Sequence, residues 1–264
     1  MIRKRNNLIF FFSTLFLVIP VILLALKSFS FSWRYGDLYP KIWSLNGWEI
    51  LLKEPRIWQA IQSSWLIGIT VVLLNLLIAI PAGRIIAFHS FRGKWFFELL
   101  FTLPILIPSL AVVMGLHLTM IRLGLTDHWM GVVIVHLLPS VPYTIKIFHA
   151  SFERIGPHLE DQAVSLGSSK WYSFYSIYLP LLVPSIRSTV FLVFVISLSQ
   201  YVLTAIIGGG NVVTIATLYF PFLSTVKESV ISSFSLIFAI LPLTVLLLFE
   251  LLIQIFIPYR KQNG

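Results

Sequence analysis

The chain contains six apolar segments, each about as long as a helix that crosses a lipid bilayer. They cover approximately residues 8–26, 63–86, 99–120, 129–148, 180–207 and 230–257. A helix needs about 20 mostly apolar residues to cross the hydrocarbon core, so 264 residues have room for six such helices and short loops. Apolar residues make up 58% of the sequence and charged residues only 11%, unlike soluble globular domains. The sequence therefore predicts an all-α membrane protein with six transmembrane helices in a single domain, residues 1–264.

Several of these segments contain residues that usually end a soluble helix. Pro104 and Pro108 lie in the first turns of the third segment, and the fourth segment also contains prolines. Proline bends a spanning helix without ending it, because neighbouring helices accommodate the bend. The glycines at 208–210 are different, and they predict that the fifth helix ends near Ile207. Residues 212–222 then form either an outer loop or a short re-entrant piece.

The distribution of Lys and Arg predicts that both termini lie in the cytoplasm. With that orientation the cytoplasmic segments hold Arg3, Lys4, Arg5, Arg84, Arg92, Lys94, Lys146, Arg154, Lys170, Arg187, Arg260 and Lys261. The outer segments hold the other seven, five of them in the long first outer loop, and long loops are translocated with less regard for charge. A basic start followed by an apolar run also fits a secretory signal. The run is longer than the apolar region of a usual signal, which favours a span.

A polar stretch lies between the fourth and fifth segments. Gly156-Pro157 precede a helix-forming run from His158 to Leu166, and proline suits the first turn of a helix. Gly167 stands where a helix ends in a residue with positive φ. Ser168 or Ser169 can cap a second helix, which carries several aromatic residues. The stretch is predicted to be helix, hinge and helix, with an aromatic side for docking a partner. The alternative is an amphipathic segment that lies on lipid headgroups.

Within this stretch Asp161-Gln162-Ala163 is followed after three residues by Gly167, and after nine more by Ile177-x-Leu179-Pro180. This spacing resembles the cytoplasmic loop of the permease subunits of binding-protein-dependent ABC importers, with its pattern Glu-Ala-Ala, three residues, Gly, nine residues, Ile-x-Leu-Pro. Asp161 stands where Glu is usual and Gln162 where the first Ala is usual, and the acidic charge is kept.

The resemblance implies a type I permease fold in which residues 150–179, called the coupling loop below, contact an ATPase. The loop residues implied are Glu160, Asp161, Gln162, Ala163, Gly167, Ile177, Leu179 and Pro180. The Leu179-Pro180 pair is expected to interrupt the polar stretch and begin the fifth span.

The resemblance also implies the location, as a multi-pass protein of a bacterial plasma (inner) membrane, and the partners. Two permease subunits, identical or related, line a pathway, a cytoplasmic ABC ATPase dimer binds the coupling loops, and an extracytoplasmic binding protein delivers a small solute. The chain has no G-x-x-x-x-G-K-[ST] sequence, so ATP is expected to bind the partner, with no cofactor on this chain and no enzyme activity of its own. The run 200–222 looks most like the polyamine, ferric iron and thiamine branch of these importers, without choosing among the three.

Polar residues inside the spans are the other functional candidates, because lipid makes them costly. Gln200, Tyr201, Asn211 and Thr214 surround the predicted break after the fifth span and are candidates for lining the pathway. Hydrogen bonding between helices is an equally good interpretation. His117 and His136 are expected to be packed and hydrogen-bonded and not metal-bound. Glu98 and Glu250, near the cytoplasmic ends, are expected to contact Lys or Arg.

Other classes of protein fit the sequence less well. The rival is an ATP-independent secondary transporter or channel, which predicts inverted repeats or a line of ionisable groups. An intramembrane enzyme needs catalytic groups that converge at one depth. The sequence contains no cysteine and no metal-ligand spacing, so no metal site is predicted. The net charge of +9 is scattered between apolar runs, which argues against nucleic-acid binding.

Overall fold

The spans are formed by helices that follow one another along the chain, and the computed structural model describes residues 2–33, 37, 39–103, 107–223 and 227–256. The helices are α1 (Ile2–Ser28), α2 (Asn46–Lys53), α3 (Ile57–Phe88), α4 (Lys94–Leu100), α5 (Ser109–Arg122), α6 (Trp129–Ile155), α7 (His158–Ser165), α8 (Lys170–Ser173), α9 (Leu179–Leu198), α10 (Tyr201–Ile207), α11 (Ile215–Phe222) and α12 (Glu228–Phe256). A π-helical turn, Phe174–Tyr178, joins α8 to α9. Two short antiparallel strands, β1 (Ser30–Ser32) and β2 (Ile42–Trp43), lie between α1 and α2.

Four helical stretches are long and apolar enough to cross a membrane. They are Ile57–Phe88, Trp129–Ile155, Trp171–Leu198 and Glu228–Ile255, which confirm the predicted spans two, four, five and six. The first predicted span lies within α1, Ile2–Ser28, and the third corresponds in part to a shorter apolar helix, Leu110–Arg122.

The third predicted span is not one helix, and this part of the prediction was wrong. Helix α4 ends at Leu100 and α5 begins only at Ser109. Pro108 adopts an extended conformation, with ψ of 128°, immediately before α5. It has no N–H to donate and disfavours a helical residue before it, so it starts a new helix. Pro104 lies outside the described residues.

Helix α10 ends at Ile207, where the fifth helix was predicted to end, but the single helix predicted up to that point is wrong, because the structure contains an earlier break that the sequence did not indicate. Helix α9 stops at Leu198, and Gln200 has a non-helical ψ of 74°. The Ser199 hydroxyl and the Gln200 side-chain amide both donate to the Ile196 carbonyl, at 2.8 and 3.0 Å. Local side-chain hydrogen bonds compete with the helical backbone pattern, and here they satisfy a carbonyl exposed by the break.

The core forms where α3, α6 and α9 pack closely. A Cβ atom at Gly83 on α3 would lie 2.7 Å from the Phe148 Cβ and 2.8 Å from the His149 backbone nitrogen on α6. A Cβ at Gly68 would lie 2.5 Å from the Phe194 ring of α9. Small residues at these crossings let helix backbones approach closely, which is how spanning helices associate in lipid. These three packed helices form a framework that carries the coupling loop at one end and the break in the fifth span at the other.

Candidate functional site

The first half of the coupling loop is a short helix closed by a glycine. Helix α7 ends at Ser165, and Gly167 has φ of +89°. The Ser168 N–H donates to the Ala163 carbonyl at 3.0 Å, and the Gly167 N–H donates to the Val164 carbonyl at 2.9 Å. These two bonds form a Schellman motif, which satisfies carbonyls at a helix end and requires a left-handed residue. The predicted hinge conformation of Gly167 is therefore confirmed.

The second half of the loop begins with a serine cap, as predicted. The Tyr172 N–H donates to the Ser169 hydroxyl at 3.2 Å, which makes Ser169 the residue that caps α8. The Leu179 N–H then donates to the Phe174 carbonyl, five residues back, so the turn before α9 is π-helical. Pro180 lies in the first turn of α9, where its missing N–H costs little.

Leu179-Pro180 begins α9, as expected, but it does not interrupt the helical backbone, because Trp171–Leu198 is one continuous helical stretch. The π-turn accommodates the proline without ending the helix. The coupling loop is consequently joined to the fifth span by helical backbone and not by a flexible connection.

The coupling loop exposes several large apolar and aromatic side chains. Leu166 is 90% exposed and Trp171 is 83% exposed. Tyr172 and Tyr175 are also exposed. Polar loops seldom leave so many large side chains uncovered unless another surface covers them, so the loop has the composition of a docking surface.

The loop is fixed to the core by Tyr178, which is fully buried. The Tyr178 hydroxyl donates to the Gly156 carbonyl at 3.3 Å, and the Arg84 guanidinium carbon lies 5.7 Å from the Tyr178 ring centroid. The rings of Phe88 and Phe152 lie 6.0 and 5.8 Å from the same ring, centroid to centroid. The turn that leads into α9 is therefore packed against α3 and α6 through one ring.

A cavity of about 1060 Å³ separates α7 from the end of α3. Its walls are mostly apolar, with Leu76 and Ile80 on one side and Val164 and Trp171 on the other. Asp161 also lines it. The cavity gives α7 room to move relative to α3 while the loop remains attached through Tyr178.

The predicted loop residues occupy distinct places in this arrangement. Asp161, Gln162 and Gly167 are exposed, and Ala163 is half-buried. Ile177, Leu179 and Pro180 are half-buried in the turn that leads into α9. Glu160 belongs to α7, and its side chain lies outside the described part of the structure.

The candidate pathway residues are distributed around the break in the fifth span. Gln200 and Tyr201 are half-buried at the break itself, and the Tyr201 ring stacks on Phe220 of α11 with 4.0 Å between centroids. Asn211 is exposed. Thr214 is buried and caps α11: its hydroxyl accepts from the Thr217 N–H at 3.4 Å, and its own N–H donates to the Thr217 hydroxyl at 2.9 Å. Residues 215–222 thus form a capped helix, and the Ile215 N–H donates to Ser64 of α3 at 2.8 Å.

Two residues that hold the glycine turn were missed by sequence reasoning. Arg56 donates from Nη2 to the Gly210 carbonyl at 2.9 Å, and the Asp127 N–H donates to the Ile207 carbonyl at 2.7 Å. Gly209 has φ of +52°, and a Cβ there would lie 1.6 Å from an Asp127 carboxylate oxygen. The contacts of Arg56 and Asp127 join residues far apart in the chain, so no local sequence pattern indicates them.

The expectations for two intramembrane residues are confirmed. His136 is buried and hydrogen-bonded to Ser197 and Thr204. Glu250 binds Arg187 through two hydrogen bonds of 2.6 Å. Arg187 lies inside α9, within the predicted fifth span.

Comparison with known proteins agrees with this architecture. Residues 79–261 match the family described as binding-protein-dependent transport system inner membrane component. The molybdate/tungstate transport system permease protein WtpB of Thermococcus kodakarensis is 35% identical over 143 residues, and the match covers 53% of this chain and 58% of that relative's length. The spermidine/putrescine transport system permease protein PotC homolog of Mycoplasma genitalium is 28% identical over 256 residues, covering 92% of this chain and 89% of the relative.

The fold also matches a solved structure. A chain of a bacterial ABC transporter involved in the import of the acidic polysaccharide alginate superposes with a TM-score of 0.71 at 16% sequence identity. The superposition covers 93% of this chain and 94% of that one. The resemblance inferred from the loop motif is confirmed. The chain belongs to the family of inner membrane components of binding-protein-dependent transport systems and has the type I permease fold.

Proposed function

We propose that this chain is the membrane-spanning permease subunit of an ABC importer, and that it forms part of the pathway for a small solute. A single observation carries the proposal: the coupling loop is a capped helix, a glycine hinge and a second helix that continues directly into the fifth span. Its exposed aromatic side chains suit docking into a groove of a cytoplasmic ATPase. ATP binds that partner, and an extracytoplasmic binding protein delivers the solute.

The mechanism follows from how the loop is attached. When the ATPase dimer closes on ATP, α7 moves with it, and the cavity beside α3 permits that movement. The helical connection through Phe174–Tyr178 passes the displacement to α9. Helix α9 ends at the break beside Gln200 and Tyr201, so the displacement reaches the candidate pathway residues. Two permease subunits, identical or related, are needed to enclose a pathway.

The substrate is proposed from the sequence and its relatives together. The run 200–222 favours a polyamine, thiamine or ferric iron importer. Relatives named for spermidine/putrescine and for ferric transport agree with two of these, and relatives named for molybdate/tungstate and sulfate add oxyanions. These solutes differ in the sign of their charge. The ligand that co-purifies with the cognate binding protein identifies the substrate.

Replacing Gly167 by Val tests the proposed coupling. A β-branched residue strongly disfavours φ of +89°, at a local cost of about 1 kcal/mol or more, so the second loop helix should be misdirected. The wild-type chain, purified with its neighbouring subunits, should carry a bound ATPase that is stimulated by the binding protein purified with its solute. Gly167→Val should lose that stimulation while its spans remain inserted.

Gly93→Val is the matched control for this substitution. Gly93 has φ of +90°, and a Cβ at either glycine meets nothing within 4 Å, so the two substitutions impose the same backbone strain. Only Gly167 lies in the coupling loop. Undiminished transport by Gly167→Val, or an equal loss in Gly93→Val, would contradict the hinge role. Transport by the purified chain without an ATPase would instead favour the secondary transporter.

Cysteine labelling tests the proposed orientation, in which both termini and the coupling loop are cytoplasmic. The chain has no cysteine, so a single introduced thiol is the only target. In intact cells Ser169→Cys, in the coupling loop, should resist an impermeant thiol reagent. Ser44→Cys, between β2 and α2, should be labelled. The reverse pattern of labelling would refute the orientation.

A further inference from the structure

A buried histidine spans the break in the fifth span. His136 lies on α6 and is 1% exposed. Its Nδ1 lies 2.9 Å from the Ser197 hydroxyl, before the break, and its Nε2 lies 2.9 Å from the Thr204 hydroxyl, after it. One imidazole ring therefore contacts both halves of the broken span.

The hydrogen bonds around this ring have a defined direction. The Thr204 hydroxyl donates its single proton to the Gln200 carbonyl at 2.6 Å, so it can only accept from His136. This makes Nε2 the protonated ring nitrogen, and Nδ1 then accepts from the Ser197 hydroxyl. The chain of donors runs from Ser197 through His136 and Thr204 to Gln200, and it ends on the backbone of the residue at the break.

The same residue is restrained on its other side. The Gln200 side chain donates to the Ile196 carbonyl at 3.0 Å, so both its backbone and its side chain are held. Tyr201 follows directly and stacks on Phe220. The angle between α9 and α10 is thus fixed from α6 through one side chain, because in an apolar interior each of these bonds is costly to break.

We propose that His136 is a positioning residue, which sets the angle of the break in the fifth span and thereby presents Gln200 and Tyr201 to the solute. This inference rests on the proposed function, since the solute reaches those residues only in a transporter. His136 does not touch the solute. It determines the angle at which α9 and α10 meet, and that angle sets the shape of the site.

A second buried polar cluster provides a control that separates a positioning role of His136 from a purely structural one. Asn75 on α3 donates to the Ser140 hydroxyl of α6 at 2.9 Å, and its side-chain oxygen accepts from Thr144 at 3.0 Å. All three residues are fully buried. This cluster joins unbroken helices with the same kind of bonds and meets His136 only at its backbone carbonyl, which accepts from the Ser140 hydroxyl at 2.8 Å. Its loss should therefore weaken packing without removing either bond across the break.

The experiment compares Thr204→Val with Thr204→Ser and Asn75→Leu in the complete assembly, reconstituted in proteoliposomes. The probe is the cognate binding protein purified with its bound solute. Thr204→Val removes the hydroxyl between His136 and Gln200 at nearly constant volume, and should raise the half-saturating concentration of the probe about tenfold. The maximal rate should change much less. Thr204→Ser keeps the hydroxyl and should behave as wild type, and Asn75→Leu should leave half-saturation unchanged.

A distance measurement tests the role of His136 even if a variant does not import solute. Spin labels at Leu181 on α9 and Asn211 beyond α10 report the angle of the break, and His136→Leu and Thr204→Val should both shift or broaden their distance distribution. Unchanged distances in both variants, or a half-saturation effect as large in Asn75→Leu, would overturn the proposal. Wild-type assemblies without ATP-driven uptake would refute the proposed function and leave the distance result as the test of His136.

Discussion

Replacing Ala163 by Asp should release the ATPase from the purified assembly. Ala163 is half-buried on α7, the helix that is proposed to pack against the ATPase. A carboxylate there would be desolvated by the partner without a counter-charge, and an uncompensated buried charge costs about 3–5 kcal/mol. That cost corresponds to a loss of about two to nearly four orders of magnitude in affinity. The measurement is retention of the ATPase on an affinity column that binds a tag on the permease.

Two further variants separate docking from lining of the pathway. Ala163→Ser is small and uncharged, so it should retain the ATPase. Gln200→Ala, at the break, should also retain the ATPase but change the transport rate or the solute preference. Retention of the ATPase by Ala163→Asp together with its loss from Gln200→Ala would reverse the roles assigned to the coupling loop and the fifth span.

The coupling loop could be predicted almost residue by residue because its structure is set by local chemistry. A glycine is the cheapest residue at the left-handed position of a Schellman motif, and Gly167 adopts that conformation. A serine before a helix caps it with its own hydroxyl, and Ser169 does so. The length of the apolar runs likewise identified the four long spans, because the thickness of the bilayer sets the length of a spanning helix.

The breaks in the spans could not be predicted because they depend on distant residues. A serine and a glutamine at 199–200 resemble ordinary polar residues in a span, and local hydrogen bonds alone rarely stop a helix. The broken conformation also needs His136, which is more than sixty residues away in the sequence from Ser197 and Thr204. The hydrogen bonds that hold the glycine turn come from Arg56 and Asp127, which are also far from it in the sequence. Tertiary hydrogen bonds therefore determine the shape of the candidate pathway.

A charged pair inside the spans joins the fifth span to the last one. The Arg187 Nε and Nη2 atoms of α9 each donate to one oxygen of Glu250 on α12, both at 2.6 Å. The two side chains are 25% and 27% exposed, and the apolar residues around them include Phe191 and Leu247. A two-point guanidinium–carboxylate contact is geometrically specific, and within a membrane each charge is costly without the other. Since α9 continues from the coupling loop, this pair extends the connection from that loop to α12.

Glu250→Ala should therefore destabilise the protein strongly. It leaves the Arg187 guanidinium without a carboxylate in an apolar setting, at a cost of about 2.5–3.5 kcal/mol. Unfolding of the purified chain in SDS, followed by circular dichroism, measures the change in the free energy of unfolding.

The matched control for this prediction is the pair Lys27–Glu228, which has the same 2.6 Å separation at the ends of α1 and α12 but side chains 37% and 65% exposed. Because exposed pairs contribute only about 0–1 kcal/mol, Glu228→Ala should change stability little. Replacing both members of the buried pair, as Arg187→Met with Glu250→Leu, should recover most of the stability lost in Glu250→Ala, since no charge then remains unpaired. If the double variant is as stable as the wild type yet imports solute poorly, the pair transmits movement to α12. If Glu250→Ala is no less stable than Glu228→Ala, the pair lies in water and not among lipid or protein.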